Sequence, residues 1–241
     1  VGLFSGDKLK GVLRLATRRD LTADELGIPI SDWLARMSVT NEQIEDAIMA
    51  SVVPSVTAQV TEMCQRYLGC VPTVVAADLK LPIKIAVDHP AQLGADRIAN
   101  AVGGFTKFGG PVIVADFGTA TKFEVVDASG VYQGGVIAPG IETSMAELAR
   151  RAAKLFEIKI EPPSRVIGKN TVEALKSGAF YGTIGQVDYI IERILAEGGW
   201  PRATVVGTGG LVAGMEQHSK YIKLIEPNLT LFGLYQIARL Q

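Results

Sequence analysis

Asp116, Gly118, Thr119 and Thr121 stand together in VIVADFGTATKFEVV, residues 112–126, after an apolar run that reads as a strand buried on both faces. A glycine turn there lets backbone N–H groups approach an anion, and threonine hydroxyls add donors. An aspartate in such a turn repels phosphate unless a cation lies between them, so the arrangement predicts a metal ion at Asp116. The competing reading is a strand-end turn in which Asp116 bonds nearby backbone N–H groups. Lys122, on the following strand, either reaches toward a phosphate or pairs with Glu124, which shares its face at a period of two. The pairing with Glu124 is the expectation.

A second glycine turn, VGTGGLVAG at 206–214, also follows a strand. Gly207, Gly209 and Gly210 permit close approach of a flat or charged ligand, although the spacing is not the dinucleotide fingerprint. Its alternative is packing of a helix on a sheet. In HPAQLGADRIAN, residues 89–100, Asp96 and Arg97 stand where a helix begins. Asp96 is a candidate general base for a substrate hydroxyl and Arg97 a partner for a substrate carboxylate. The bland alternative is an acidic residue favoured by the helix dipole. GGVIAPGI, residues 134–141, reads as a glycine-framed turn that either walls a pocket or joins two elements. Thr171 reads as an N-cap, with Asn170 as its competitor. The two histidines, His89 and His218, are far apart in sequence and suggest no metal site. Serine-hydrolase elbows and P-loops are absent from the sequence.

These residues need elements to hold them. VGLF and LKGVLRLAT flank SGD as a hairpin, and TADELGIPISDWLARM has helical spacing with Thr22 and Glu25 as a capping box. DAIMASVVP, PTVVAA, PVIVADFG and ATVVGTGGL read as strands. Helical patterns cover SVTAQVTEMCQRYL, GADRIANAVGGFTKF, TSMAELARRAAKL, residues 170–198 and LTLFGLYQIARL. This alternation predicts an α/β fold with helices covering a sheet.

At 241 residues the chain can form one large domain or two smaller ones, with a sizeable core. Its 24 basic and 25 acidic side chains nearly cancel, which argues against nucleic acid as a partner. No apolar run is long enough for a membrane span, and no signal peptide is present. Cys64 and Cys70 fit neither zinc spacing nor a disulfide framework, and read as thiols in a reducing cytoplasm. TKFEVVDASGVYQGGV echoes VGLFSGDKLKGV as strand, turn, strand, which suggests a duplicated chain. The opening VGLFSG reads as the second half of a strand, so a segment ahead of Val1 is expected.

The motifs SVVPSVT, HPAQLGADRIANAVG, DFGTATKFEVVD, GGVIAPGI, IGKNTVEALKSG, YGTIGQVDYII and VGTGGL, in this order, resemble those of type III pantothenate kinases. That family belongs to the superfamily of acetate and sugar kinases, Hsp70 and actin. The resemblance implies a duplicated ribonuclease H-like α/β fold of mixed sheets flanked by helices, with halves at 1–105 and 106–241. It implies transfer of the ATP γ-phosphate to the primary hydroxyl of pantothenate, the first step of coenzyme A synthesis. Gly94, Ala95, Asp96 and Arg97 match the pantothenate-binding motif, with Asp96 as proton acceptor and Thr171 as a further pantothenate contact. Gly118 and Thr119 match the ATP-phosphate turn, while Gly207, Gly209 and Gly210 match the adenosine side. Asp116 matches the ligand of a monovalent cation, K+ or NH4+, and ATP is used with Mg2+. The resemblance further implies a cytoplasmic homodimer. A D-x-G-N-T strand, whose aspartate holds Mg2+, is expected ahead of Val1. Val87 stands where a tyrosine is frequent, and Lys122 and Glu124 stand where threonine and aspartate are usual. The alternative from another functional class is a non-catalytic homologue acting as a binding or regulatory protein.

Overall fold

The computed structural model describes residues 1–16, 18, 20–152, 158–212 and 214–241. In chain order the first elements are β1 (Gly2–Ser5), β2 (Lys8–Val12), α1 (Ala23–Arg36), β3 (Ile48–Met49), α2 (Pro54–Met63), β4 (Thr73–Val74), β5 (Lys84–Ile85) and α3 (Ala95–Phe108). They are followed by β6 (Val112–Phe117), β7 (Ala120–Val126), β8 (Val131–Pro139), α4 (Ile141–Arg151), α5 (Thr171–Gly198), β9 (Thr204–Thr208), β10 (Leu224–Ile225) and α6 (Leu229–Ala238). The last part of the TSMAELARRAAKL pattern lies outside the described residues.

Two compact units result, Val1–Thr106 with Leu229–Gln241, and Lys107–Asn228. The sequence reading kept the carboxyl-terminal segment with the second half; the structure groups α6 with the first. The reason is a close helix crossing. A Cβ added at Gly233 of α6 would meet the Ala99 carbonyl of α3 at 1.8 Å, and one at Gly103 would meet the Leu229 carbonyl at 2.7 Å. Only glycine lets two backbones approach so closely. Buried Asn100 accepts a hydrogen bond from the Thr230 hydroxyl at 2.6 Å across the same crossing. Gly233→Ala should therefore destabilise the protein by at least about 1–3 kcal/mol through overpacking. A lowered midpoint in thermal or urea unfolding checks this.

In the first unit, β1 and β2 form the expected antiparallel hairpin. The Thr22 hydroxyl accepts the Glu25 N–H at 3.2 Å, and the Glu25 carboxylate accepts the Thr22 N–H at 2.9 Å, so the capping box starts α1 as read. Ile30 and Leu34 of α1 pack with Met63 and Cys64. The apolar runs DAIMASVVP and PTVVAA contribute only two ladder residues each, as the parallel pair β3–β4.

Strands of the second unit lie in the order β10-β9-β6-β7-β8. β6 is parallel to β9 and antiparallel to β7. Val112 to Ala115 are wholly buried, which explains the unbroken apolar run: a central strand has no solvent face. Phe180, Ile184, Val187 and Ile191 of α5 recur at helical spacing and pack on Ile113, Ala115, Phe117 and Phe123. Burying each large apolar side chain stabilises by about 1.5–3 kcal/mol, so this layer fixes the strand ends that carry the chemistry.

GGVIAPGI corrects one expectation. It is mostly strand: β8 runs to Pro139, and only Gly140 separates it from α4. Gly134, at φ +119°, lies where the β7–β8 register shifts, so this glycine serves a bulge rather than a turn.

Candidate active site

The second unit brings both glycine turns together. β6 and β9 are parallel neighbours with Asp116 opposite Thr208, so their carboxyl ends deliver DFGT and GTGG side by side. A Cβ on Gly209 would lie 2.4 Å from the Phe117 carbonyl and 2.7 Å from Asp116 Oδ1. Gly209 has φ +96°, a conformation that favours glycine. Leu211 N–H then donates to the Phe117 carbonyl at 3.4 Å. Gly207 is buried, and a Cβ there would strike Val212 at 2.6 Å, so this glycine packs the turn on its own strand. Gly209 and the exposed Gly210 are the residues left to face a ligand.

Thr119 is exposed at the tip of the first turn. Its carbonyl accepts the Gly140 N–H at 3.1 Å and the Thr143 hydroxyl at 2.8 Å. A Cβ on Gly140 would meet the Gly118 carbonyl at 2.3 Å. The start of α4 thus clamps the turn and leaves the backbone N–H side and hydroxyl of Thr119 for an anion. Of the two roles considered for GGVIAPGI, joining elements is the one seen, and its final glycine also seats the DFGT turn.

Lys122 reaches across the ladder to Asp116. Its Nζ lies 2.9 Å from Asp116 Oδ2, and both side chains are largely shielded, at 15% and 14% exposure. Register accounts for this contact: Lys122 is directly opposite Asp116 across β6–β7, where Cβ atoms are about 4.5–5.5 Å apart. Glu124 is two residues along the same strand, about 6.6 Å away by strand rise. Glu124 is wholly buried and accepts the Tyr132 hydroxyl proton at 2.5 Å. Lys122, Asp116 and Thr208 therefore form one row across three strands, on one face.

Thr208 was not singled out from the sequence. It is 1% exposed, and its hydroxyl has no hydrogen-bond partner among the described residues. A buried polar group without a partner is costly, and this one lies beside the two glycine turns. The signal available in the sequence was a threonine between Gly207 and Gly209 at a strand end.

Thr171 is the first residue of α5 and is exposed; the cap is Asn170, whose Oδ1 accepts the Glu173 N–H at 2.9 Å. Glu173 in turn accepts the Lys169 N–H at 2.8 Å, which holds its carboxyl below the usual range. The hydroxyl of Thr171 is thus not consumed in capping the helix.

In the first unit, Gly94 to Arg97 open α3. The Gly94 carbonyl accepts the N–H groups of Arg97 and Ile98 at 3.0 and 3.1 Å. Asp96 Oδ1 accepts the Arg97 N–H at 2.9 Å, and a Cβ on Gly94 would collide with it at 2.7 Å. Glycine is needed there so that the carboxylate can fold over the helix start. Ala95 and Ile98 are buried, while Asp96 and Arg97 remain half-buried. Both of those charged residues make further interactions besides these bonds.

Two cation types require a fit to this donor set. No group of three His, Cys, Asp or Glu side chains suited to a metal ion occurs among the described residues. A divalent ion that arrives on nucleotide phosphates needs only one or two carboxylates and so is compatible with that. A monovalent ion on Asp116 fits poorly, because an ammonium already sits on that carboxylate. Two unit charges 4 Å apart repel by about 4 kcal/mol at an effective dielectric constant of about 20.

Comparisons with known proteins give the family that the chain is similar to. The family model described as type III pantothenate kinase matches residues 1–193. A type III pantothenate kinase of Agathobacter rectalis is 41% identical over 240 residues, covering 100% of this chain and 92% of that protein. The type III pantothenate kinase of an Exiguobacterium species is 43% identical over 234 residues, covering 97% and 91%. Among solved structures, a putative Baf family transcriptional activator from Campylobacter jejuni superposes with a TM-score of 0.55 at 14% identity, covering 83% and 85%. An activator of 2-hydroxyisocaproyl-CoA dehydratase from Clostridium difficile, solved with ADPNP, gives 0.50 at 10% identity, covering 97% and 88%. At such identities these two likenesses speak to fold alone.

Proposed function

The chain belongs to the type III pantothenate kinase family, and from that premise we propose that it moves the γ-phosphate of ATP to the primary hydroxyl of pantothenate, opening coenzyme A synthesis. The observation that carries this reading is the seating of Gly209 against Phe117 and Asp116, two phosphate-type turns at adjacent strand ends in a chain aligned along its length with that family.

Phosphoryl transfer asks for positioning and charge neutralisation more than covalent chemistry. Gly118 and Thr119 supply backbone N–H and hydroxyl donors to the phosphates. Gly209 and Gly210 face the adenosine side, and Gly207 packs beneath them. Arg97 pairs the carboxylate of pantothenate, and Thr171 adds a contact to it. Asp96 accepts the hydroxyl proton as that oxygen bonds the γ-phosphorus and ADP leaves. Mg2+, bound with the nucleotide, neutralises phosphate charge.

A homodimer accompanies this reading. The open groove between α4 and α5, lined by Met145, Leu148 and Leu175 together with Ser144, Thr183 and Gln186, is a mixed surface that a second copy would cover. A cytoplasmic site of action fits the free thiols of Cys64 and Cys70. Among the described residues no helix is long and apolar enough to cross a membrane.

Calorimetry tests the assignment against a scaffold that has lost catalysis. The full-length protein should bind both ATP and pantothenate. Binding of neither, or of one alone, would favour the non-catalytic reading.

A further inference from the structure

Asp116 presents a problem and the fold presents its answer. A carboxylate at the mouth of a phosphate turn opposes a nucleotide's phosphates unless positive charge is supplied at the same place. In this chain the charge comes from the neighbouring strand: Lys122 Nζ stands 2.9 Å from Asp116 Oδ2, set there by cross-strand register. Both side chains are largely shielded from solvent, so salt screens the pair weakly. On the other side of Asp116 in the same row, the buried Thr208 hydroxyl has no partner among the described residues. The row therefore joins a neutralised carboxylate to a buried hydroxyl whose hydrogen bond is unmet among the described residues.

We infer that the ammonium of Lys122 is a tethered replacement for the monovalent cation that Asp116 would otherwise bind, so that this protein handles ATP without K+ or NH4+. The inference rests on the kinase reading for its ligand. It deepens that reading by assigning Lys122, which matches no motif residue, as the positioning cation of the site. A tethered ammonium is held by the fold and needs no saturation from solution. A free ion arriving at Asp116 would meet a like charge already on the carboxylate. Thr208 then remains for the nucleotide, which already needs the adjoining Gly209.

The test is ATP affinity measured by calorimetry on the full-length protein with MgCl2. KCl is compared with choline chloride at equal ionic strength. For the wild-type protein, exchanging choline for K+ should change the Kd by less than about twofold. Lys122→Thr removes the ammonium and opens space. Its ATP affinity in choline should fall by about tenfold or more, and K+ should restore most of the loss. Lys122→Arg keeps the charge and should stay indifferent to K+. Circular dichroism checks that each variant is folded.

A K+-specific gain of about tenfold or more in the wild-type protein would overturn the inference, whatever the variants do. So would a folded Lys122→Thr protein that binds ATP equally well in both salts. Pantothenate is left out of this experiment, so failure of the kinase assignment registers separately, as absent phosphorylated product.

Discussion

Asp96→Asn lowers pantothenate-dependent turnover by about 10²–10⁴-fold, the usual contribution of general-base catalysis, while the protein stays folded. The substitution keeps one local bond, because Asp96 Oδ1 accepts the Arg97 N–H and an asparagine oxygen can accept it too. The side chain is half-buried at the start of α3, whose inner face is held by the wholly buried Ile98, Ala99 and Val102. Loss of the base should therefore appear in kcat, with the melting temperature moved by no more than about 2 °C. An unchanged rate would remove Asp96 from the chemistry and leave it as a helix-start residue.

Gly209→Ala is expected to abolish tight nucleotide binding by a different physical route. The new methyl would lie 2.4 Å from the Phe117 carbonyl and 2.7 Å from Asp116 Oδ1, at a φ of +96°. Neither neighbour is the end of a flexible chain: one is backbone, and the other is held by Lys122. Overpacking costs about 1–3 kcal/mol and backbone strain a similar amount, so the two turns must part. ATP affinity should fall by about 10–100-fold, read by calorimetry. Gly185→Ala on α5, where a Cβ meets nothing within 4 Å, is the control and should leave ATP affinity unchanged. Equal affinities in the two variants would mean that the juxtaposed turns do not form the nucleotide site.

What could be read from the sequence is what local pattern encodes. The apolar run before Asp116 announced a strand without a solvent face, and Val112 to Ala115 have none. Thr22 with Glu25 announced the start of α1, and Asn170 competed correctly for the start of α5. The glycine turns were visible as candidate ligand loops because glycine after a strand permits close approach, although packing alone would use the same residues. What escaped was set by contacts between distant segments. Lys122 meets Asp116 because antiparallel register puts position 122 opposite position 116, which a period-two argument along one strand cannot reveal. Thr208 joined the row only once β9 was known to lie parallel beside β6. The grouping of α6 with the first unit depends on Gly103 and Gly233 facing other backbones, a relation 130 positions apart in sequence (233 − 103). Gly134 and Gly135 suggested a turn because a bulge and a turn use glycine for the same conformational freedom.

The nearly balanced charge and the absence of a basic tract fit a small-molecule enzyme, but composition alone would also fit a binding protein. The family membership decides for the kinase and names the acceptor, and the two glycine turns lie side by side within one unit.

The central claim is tested most directly by incubating the full-length protein with ATP, Mg2+ and pantothenate and quantifying both products by chromatography with mass detection. The account predicts phosphorylated pantothenate and ADP formed in equal amounts, with little ADP when pantothenate is omitted. No phosphorylated pantothenate, or ADP release indifferent to pantothenate, would contradict it.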